Sequence, residues 1–175
     1  MMDPVDREVM TAFGQGERPH EEELVVWDGF DVLDKEGAVR FFSGKSWADV
    51  LAHLRGLKDE PLLKAAYFHE EWSVLSPQAL AYYARAYLEF LRETLATVQQ
   101  DEEFVFYFLG ALYQVFYMHK GSPFSPTQTN LLRRIVERIR EKAAALEAFD
   151  YFVDDIEFQA AQVLTEMDAH GRNGS

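Results

Sequence analysis

The chain has 175 residues, 48% of them hydrophobic and 14% aromatic, no cysteine, and a formal net charge of −13 from 17 basic and 30 acidic side chains. Enough apolar surface is available to offset chain entropy, which excludes wholesale disorder; the missing cysteines exclude disulfides, thiolate metal sites and cysteine nucleophiles. So strong a negative balance repels nucleic acids and anionic membranes and favours a basic protein partner.

The N-terminus, "MMDPVDREVM", lacks the positive start and apolar run of a secretory signal, so a cytoplasmic location is expected. Asp3-Pro4 predicts a helix start, with Asp as N-cap and Pro at the first helical position, and the helix should stop near Phe13 at "GQG". Next, "EEELVVWDGFDVLDKEGAVRFFSGKSW" mixes β-branched and aromatic residues with Asp-Gly and Glu-Gly breaks. Two short strands near Leu24–Trp27 and Ala38–Phe42, with the option of a small β-hairpin, are the expectation there. Ser46 followed by Asp49 forms a capping-box start for a short helix ending at Gly56.

"LKDEPLLKAAYFHEEWSVL" reads as loop with room for a short helix. From residue 77 onward four helices are predicted, over 77–98, 102–118, 126–147 and 150–168, the first and third opened by Ser76-Pro77 and Ser125-Pro126. Short connections make neighbouring helices antiparallel. In "SPQALAYYARAYLEFL", Leu80, Tyr83, Ala84, Tyr87 and Leu91 form one apolar stripe and Ala79, Tyr82, Ala86 and Phe90 a second beside it. Together the stripes place this helix mid-bundle, its tyrosines packed in the interior. The stretch "FVFYFLGALYQVFYM" is apolar all round but only 15 residues long, too short to cross a bilayer, and reads as a buried core helix. The predicted architecture is therefore mainly α: a single-domain bundle of about five or six helices over residues 1–170, with a flexible tail at 171–175.

Candidate chemistry is sparse. "SGKS" at 43–46 lacks the first glycine of a phosphate-binding loop, whose position is held by Val39. His69, Glu70 and Glu71 are adjacent and cannot converge on one metal from a helix, and no His-Glu-x-x-His or Gly-x-Ser-x-Gly pattern occurs. No cofactor, metal site or catalytic residue is nominated. The basic run "RRIVERIREK" carries Glu137 and Glu141 among its cations and has one apolar stripe, so its charges read as a solvated back, Arg133 pairing with Glu137.

The last helix is more informative. Phe152, Ile156, Ala160, Val163 and Met167 form its core stripe. At about 100° per residue the opposite side carries Tyr151, Asp154, Asp155, Phe158, Gln162 and Thr165, an aromatic pair framed by carboxylates. Rings supply desolvated contact and carboxylates steer a basic partner, so this face is the candidate partner-binding surface. The alternative is burial of both rings against a neighbouring helix.

The motifs "SGKSW" at 43–47, "LSPQALAYYARAYL" at 75–88 and "FSPTQTNLLRRIV" at 124–136 resemble an uncharacterised bacterial protein family whose signature helix runs Leu-Ser-Pro-x-Ala-x-x-Tyr-Tyr-Leu-Pro-Ala-Tyr-Leu. The likeness spans about residues 9–140 and rests on Trp47, Ser76-Pro77, Tyr82-Tyr83 and Ala86-Tyr87. Ala84-Arg85 stands where the family has Leu-Pro, which implies a straighter helix here. Small acidic proteins of this kind are often encoded beside secreted toxins as immunity partners, so the resemblance implies an interaction role. Three readings follow: an immunity protein or antitoxin that occludes a basic, cytoplasm-acting bacterial toxin; a small enzyme with its pocket between the Tyr82/Tyr83/Tyr87 helix and the Trp47 helix, served by His69, Glu70 or Glu71; and a regulatory subunit that self-associates as a homodimer.

Overall fold

The fold is that of a computed structural model, which describes residues 4–26, 32–57, 68, 72–96, 102–119, 123–145 and 153–172. Seven α-helices lie within them: α1 (Pro4–Ala12), α2 (Val32–Phe42), α3 (Trp47–Leu57), α4 (Pro77–Ala96), α5 (Glu102–Met118), α6 (Pro126–Ala145) and α7 (Val153–Arg172). Short 3-10 turns occupy Glu21–Glu23 and Trp72–Val74. None of these helices is long and apolar enough to cross a membrane.

Helix starts follow their local chemistry. The Ser46 hydroxyl accepts the Asp49 N–H (3.3 Å) while the Asp49 carboxylate accepts the Ser46 N–H (2.7 Å), a reciprocal capping box. The Ser46 hydroxyl also donates to the Asp49 carboxylate at 2.7 Å, and this bond, then the Ser46 N–H, holds the Asp49 carboxyl below its ordinary pKa. Ser125 and Gln128 repeat the device at α6, and the Gln128 side-chain amide also donates to Ala12 O at 2.8 Å, tying the end of α1 to the start of α6. At α4 the Ser76 hydroxyl accepts the Ala79 N–H and donates to Glu23 O at 2.6 Å.

The expected β-hairpin is not formed, because Ala38–Phe42 lies inside α2. Its inward stripe is Lys35, Ala38 and Phe42, all buried, at steps of three and four. Gly37 within it costs about 1 kcal/mol relative to Ala, which burial of Phe42 offsets. The other expected strand pairs elsewhere: Val25 bridges Leu75 antiparallel, with Val26 N–H donating to Val74 O and Ser76 N–H to Leu24 O. Among the described residues there is no strand beyond this single bridge.

One continuous cluster of buried apolar side chains runs from Val5 to Met167. α4 crosses its middle, an unbroken helix with Tyr83 and Tyr87 fully buried and Tyr82 nearly so. α3 packs on one flank of α4 through Val50, Leu51 and Leu54, and α1 packs on α4 and α6. α5 and α6 both pack on α7. Phe68 stacks on Tyr87 (4.8 Å) and on Phe104 (5.3 Å), Trp72 meets Tyr87 at 5.0 Å, and Phe42 meets Tyr83 at 4.6 Å. Pairs of this kind each contribute about 0.5–1.5 kcal/mol beyond area burial, so the aromatics of α2, α4 and α5 form a stiff seam.

The back of α6 is not simply solvated. Arg133 reaches Asp168 of α7 at 2.6 Å rather than Glu137, Arg134 reaches Glu8 of α1 at 2.6 Å, and Arg138 reaches Asp6 at 3.6 Å. Arg133, Arg134 and Arg138 therefore cross-link α6 to α7 and α1.

Candidate interaction surface

On α7, Ile156, Ala160, Val163 and Met167 are all buried, which fixes the phase of the helix. Two residues from Ile156 is 200° of rotation, so Phe158 points away from the core and is 63% exposed. Asp155 and Thr165 are exposed beside it and Gln162 is half-buried on the same side. Asp155, Phe158 and Gln162 are thus brought onto one outward face. Tyr151 lies outside the described residues, as does the side chain of Asp154, whose backbone is helical.

The surface continues onto α5. A Cβ added to Gly110 would sit 3.4 Å from the Gln159 side chain, so the turn of α7 that presents Phe158 lies against α5 at this small residue. Seven residues along, about 10 Å at helical rise, Tyr113 and Tyr117 stack at 5.6 Å with Tyr117 64% exposed. Met118 is exposed as well. The reading of 104–118 as a wholly buried helix needs this correction. Phe104, Phe108, Leu109, Leu112, Val115 and Phe116 are core, but the last turn turns two large side chains outward. On the α6 side, Glu137, Glu141 and Glu157 surround Arg140 in a shallow hollow, keeping that flank acidic.

The far ends of α5 and α7 are tied by histidines. His170 places Nδ1 2.9 Å from Glu166 O and Nε2 3.2 Å from His119 O, while His119 Nε2 lies 3.1 Å from Ser73 O. Ser73 O accepts, so Nε2 of His119 carries its proton. Burial pushes the His119 pKa below its ordinary value; the bond to Ser73 opposes this and His170 adds to it.

The space expected for an enzymatic pocket between α3 and α4 is occupied by side chains. Tyr83 donates its hydroxyl proton towards Lys45 O (2.9 Å) and Phe42 O (3.2 Å), and burial, then Tyr82, raise its pKa to about 12. Trp47 covers the Arg85 guanidinium at 4.3 Å, and Arg85 also donates to Glu89 (2.9 Å) and Met10 O (2.9 Å). His69, Glu70 and Glu71 lie outside the described residues. Among the described residues no group of three or more His, Asp or Glu is placed to hold a metal ion.

Comparison with known proteins finds no matching family model, no matching curated protein and no matching solved structure, so the family resemblance rests on the motif residues alone.

Proposed function

We propose that this chain is a non-enzymatic acidic binding protein that engages a basic protein partner through the α5–α7 face centred on Phe158, as an immunity protein or antitoxin occluding a basic, cytoplasm-acting bacterial toxin would. The observation that carries the reading is the 63% exposure of Phe158 on a helix whose Ile156, Val163 and Met167 are all buried. A ring in that position gains its desolvation energy only when something else covers it. Asp155 on the same turn and a net charge of −13 supply long-range attraction for a cationic partner, which raises the association rate. Tyr117 and Met118 widen the patch towards the size of a specific interface core.

The test is binding to the purified product of the adjacent gene, measured by calorimetry with wild type, Phe158→Ala and Asp155→Lys. Phe158→Ala should raise Kd at least tenfold, chiefly through faster dissociation, and Asp155→Lys should slow association and flatten its salt dependence. Unchanged binding by both variants removes this face from the reading. Light scattering on the free protein covers self-association: a concentration-dependent dimer abolished by Phe158→Ala would assign the face to a second copy instead.

A further inference from the structure

A cleft of about 260 Å³ opens between α1, α4 and α6, on a different side of α4 from the tyrosine seam. Val9, Leu88, Leu91, Leu95 and Ile135 give it an apolar floor. Three cations line it, Arg92, Arg138 and Lys142, against two carboxylates, Asp6 and Glu89. Both carboxylates are already engaged: Glu89 accepts from Arg85 at 2.9 Å and Asp6 faces Arg138 at 3.6 Å. The Lys142 ammonium spends one proton on Leu95 O at 3.1 Å and has two left. Arg92 Nε is buried with no hydrogen-bond partner among the described residues. That nitrogen is closed to solvent, but Arg92 and Lys142 both line the cleft and neither has a carboxylate partner among the described residues, so their charges remain for an anion that enters it.

We infer that this cleft is a binding site for a small amphipathic carboxylate, its carboxylate oxygens held by Arg92 and Lys142 and its alkyl body laid on the Val9, Leu91 and Ile135 floor. Size limits the class: an open cleft of about 260 Å³ with this floor suits a short alkyl chain rather than a large ring system, and octanoate is a fitting probe. Charge sets the head group: two cations without a carboxylate partner among the described residues, Arg92 and Lys142, line the cleft in a chain that is otherwise strongly negative. Preference for an anion here runs against the field of the whole molecule, so it must come from these local groups. The inference does not depend on the α5–α7 face, which lies on other helices.

Octanoate, octylammonium and octanol serve as matched probes, followed by calorimetry and by methyl and arginine side-chain NMR on the full chain. Octanoate should bind at one site and shift the Arg92 Nε–H signal together with the Leu91 and Ile135 methyls, while the other two bind at least tenfold more weakly. Arg92→Gln and Lys142→Met should each weaken octanoate at least tenfold and leave octanol unchanged, with circular dichroism confirming the fold; if one variant fails to fold, the other decides. Equal binding of octylammonium and octanoate, shifts confined to other residues, no binding of octanoate, or full affinity in a folded variant would each overturn the assignment.

Discussion

Tyr83→Phe removes a single oxygen from the interior, and the structure sets what that should cost. The hydroxyl donates one proton shared between Lys45 O and Phe42 O, the two ends of the turn that joins α2 to α3. Phe42 O keeps the Lys45 N–H at 3.0 Å after the substitution, so only Lys45 O is left short of a donor. Losing one buried hydrogen bond while stranding one acceptor costs about 1–2 kcal/mol. For a chain of this length that lowers Tm by about 3–6 °C. The ring remains, so its contact with Phe42 is unchanged. Urea unfolding with amide exchange is the assay: the midpoint should fall at constant slope, and the exchange of amides between Phe42 and Ser46 should quicken more than that of α5 or α7. Alkaline titration gives an independent reading. The folded pKa of about 12 lies above the ordinary value of 10.0, so Tyr83 contributes stability fully below pH 10, and the contribution is lost as pH rises from 10 through 12. Wild type should therefore lose roughly 2–3 kcal/mol at most over that interval that Tyr83→Phe does not. Tyr82→Phe is the control, since its hydroxyl makes no hydrogen bond among the described residues, and it should lie within about 0.5 kcal/mol of wild type. A Tyr83→Phe protein indistinguishable from that control in both midpoint and exchange would refute the assignment of the hydroxyl as the brace of this turn.

Ile156→Ala and Phe158→Ala should separate sharply, at about 2–5 kcal/mol for the fully buried isoleucine and within about 0.5 kcal/mol for the exposed ring, as read by denaturant melts; comparable losses would mean the phase of α7 is wrong. Gly14 sits at φ +69 and a Cβ there would lie 2.5 Å from Arg85 Cδ, on a side chain pinned by Trp47, Glu89 and Met10. Gly14→Ala should cost about 2–3 kcal/mol, against about 1–2 for Gly16→Ala, whose φ is also positive but whose Cβ would meet nothing, so equal losses would show that Arg85 yields freely. For His119 the folded pKa lies below the ordinary 6.5, so the unfolded chain takes the proton first: stability is full above pH 6.5 and falls as pH drops from 6.5 towards the folded value. His119→Gln, which can still donate to Ser73 O, should flatten that acid-side slope in pH-dependent melts; a slope equal to wild type would assign it to other groups.

The sequence is most readable where one physical signal dominates. α4, α6 and α7 carry an uninterrupted 3.6-residue period, and Ser76-Pro77 and Ser125-Pro126 announce two of their starts, so these helices and the place of Phe158 opposite the core stripe follow from residue order, while its exposure depends on which helices pack there. α2 is opaque for a specific reason: its inward stripe spends one position on Lys35 and one on Ala38, leaving Phe42 as its large apolar member, and Gly37 interrupts the rest. Neither a helical nor an alternating period stands out, so β-branched and aromatic content decides the reading, in the wrong direction. Tyr117 and Met118 are hidden by the opposite excess. α5 is apolar around its whole circumference, and which side stays uncovered depends on where α7 and the Trp72–Val74 turn settle. Arg133 likewise has a carboxylate at the correct helical spacing, yet its partner is Asp168, 35 residues away on the antiparallel neighbour.

These two classes of aromatic side chain separate what folding requires from what it leaves over. Tyr83 and Tyr87 are fully buried and packed against other rings, and replacing their bulk would open cavities in the seam joining α2, α4 and α5. Phe158 offers no such return: two-thirds exposed, it forgoes most of the roughly 1.5–3 kcal/mol that burying a large apolar side chain contributes. Any polar helix former would serve α7 as well at that position. A lone exposed ring is ordinary on a protein surface, but here Tyr117, stacked on Tyr113, stands about two turns along the adjoining helix from Gly110 and Asp155 on the same turn as Phe158. Ring, second ring and carboxylate together make up the elements of an interface core with a steering charge, and none of them is needed to hold the helices in place. Folding therefore accounts for the tyrosines of α4 and leaves Phe158 without a structural role, and the proposed binding function rests on that difference.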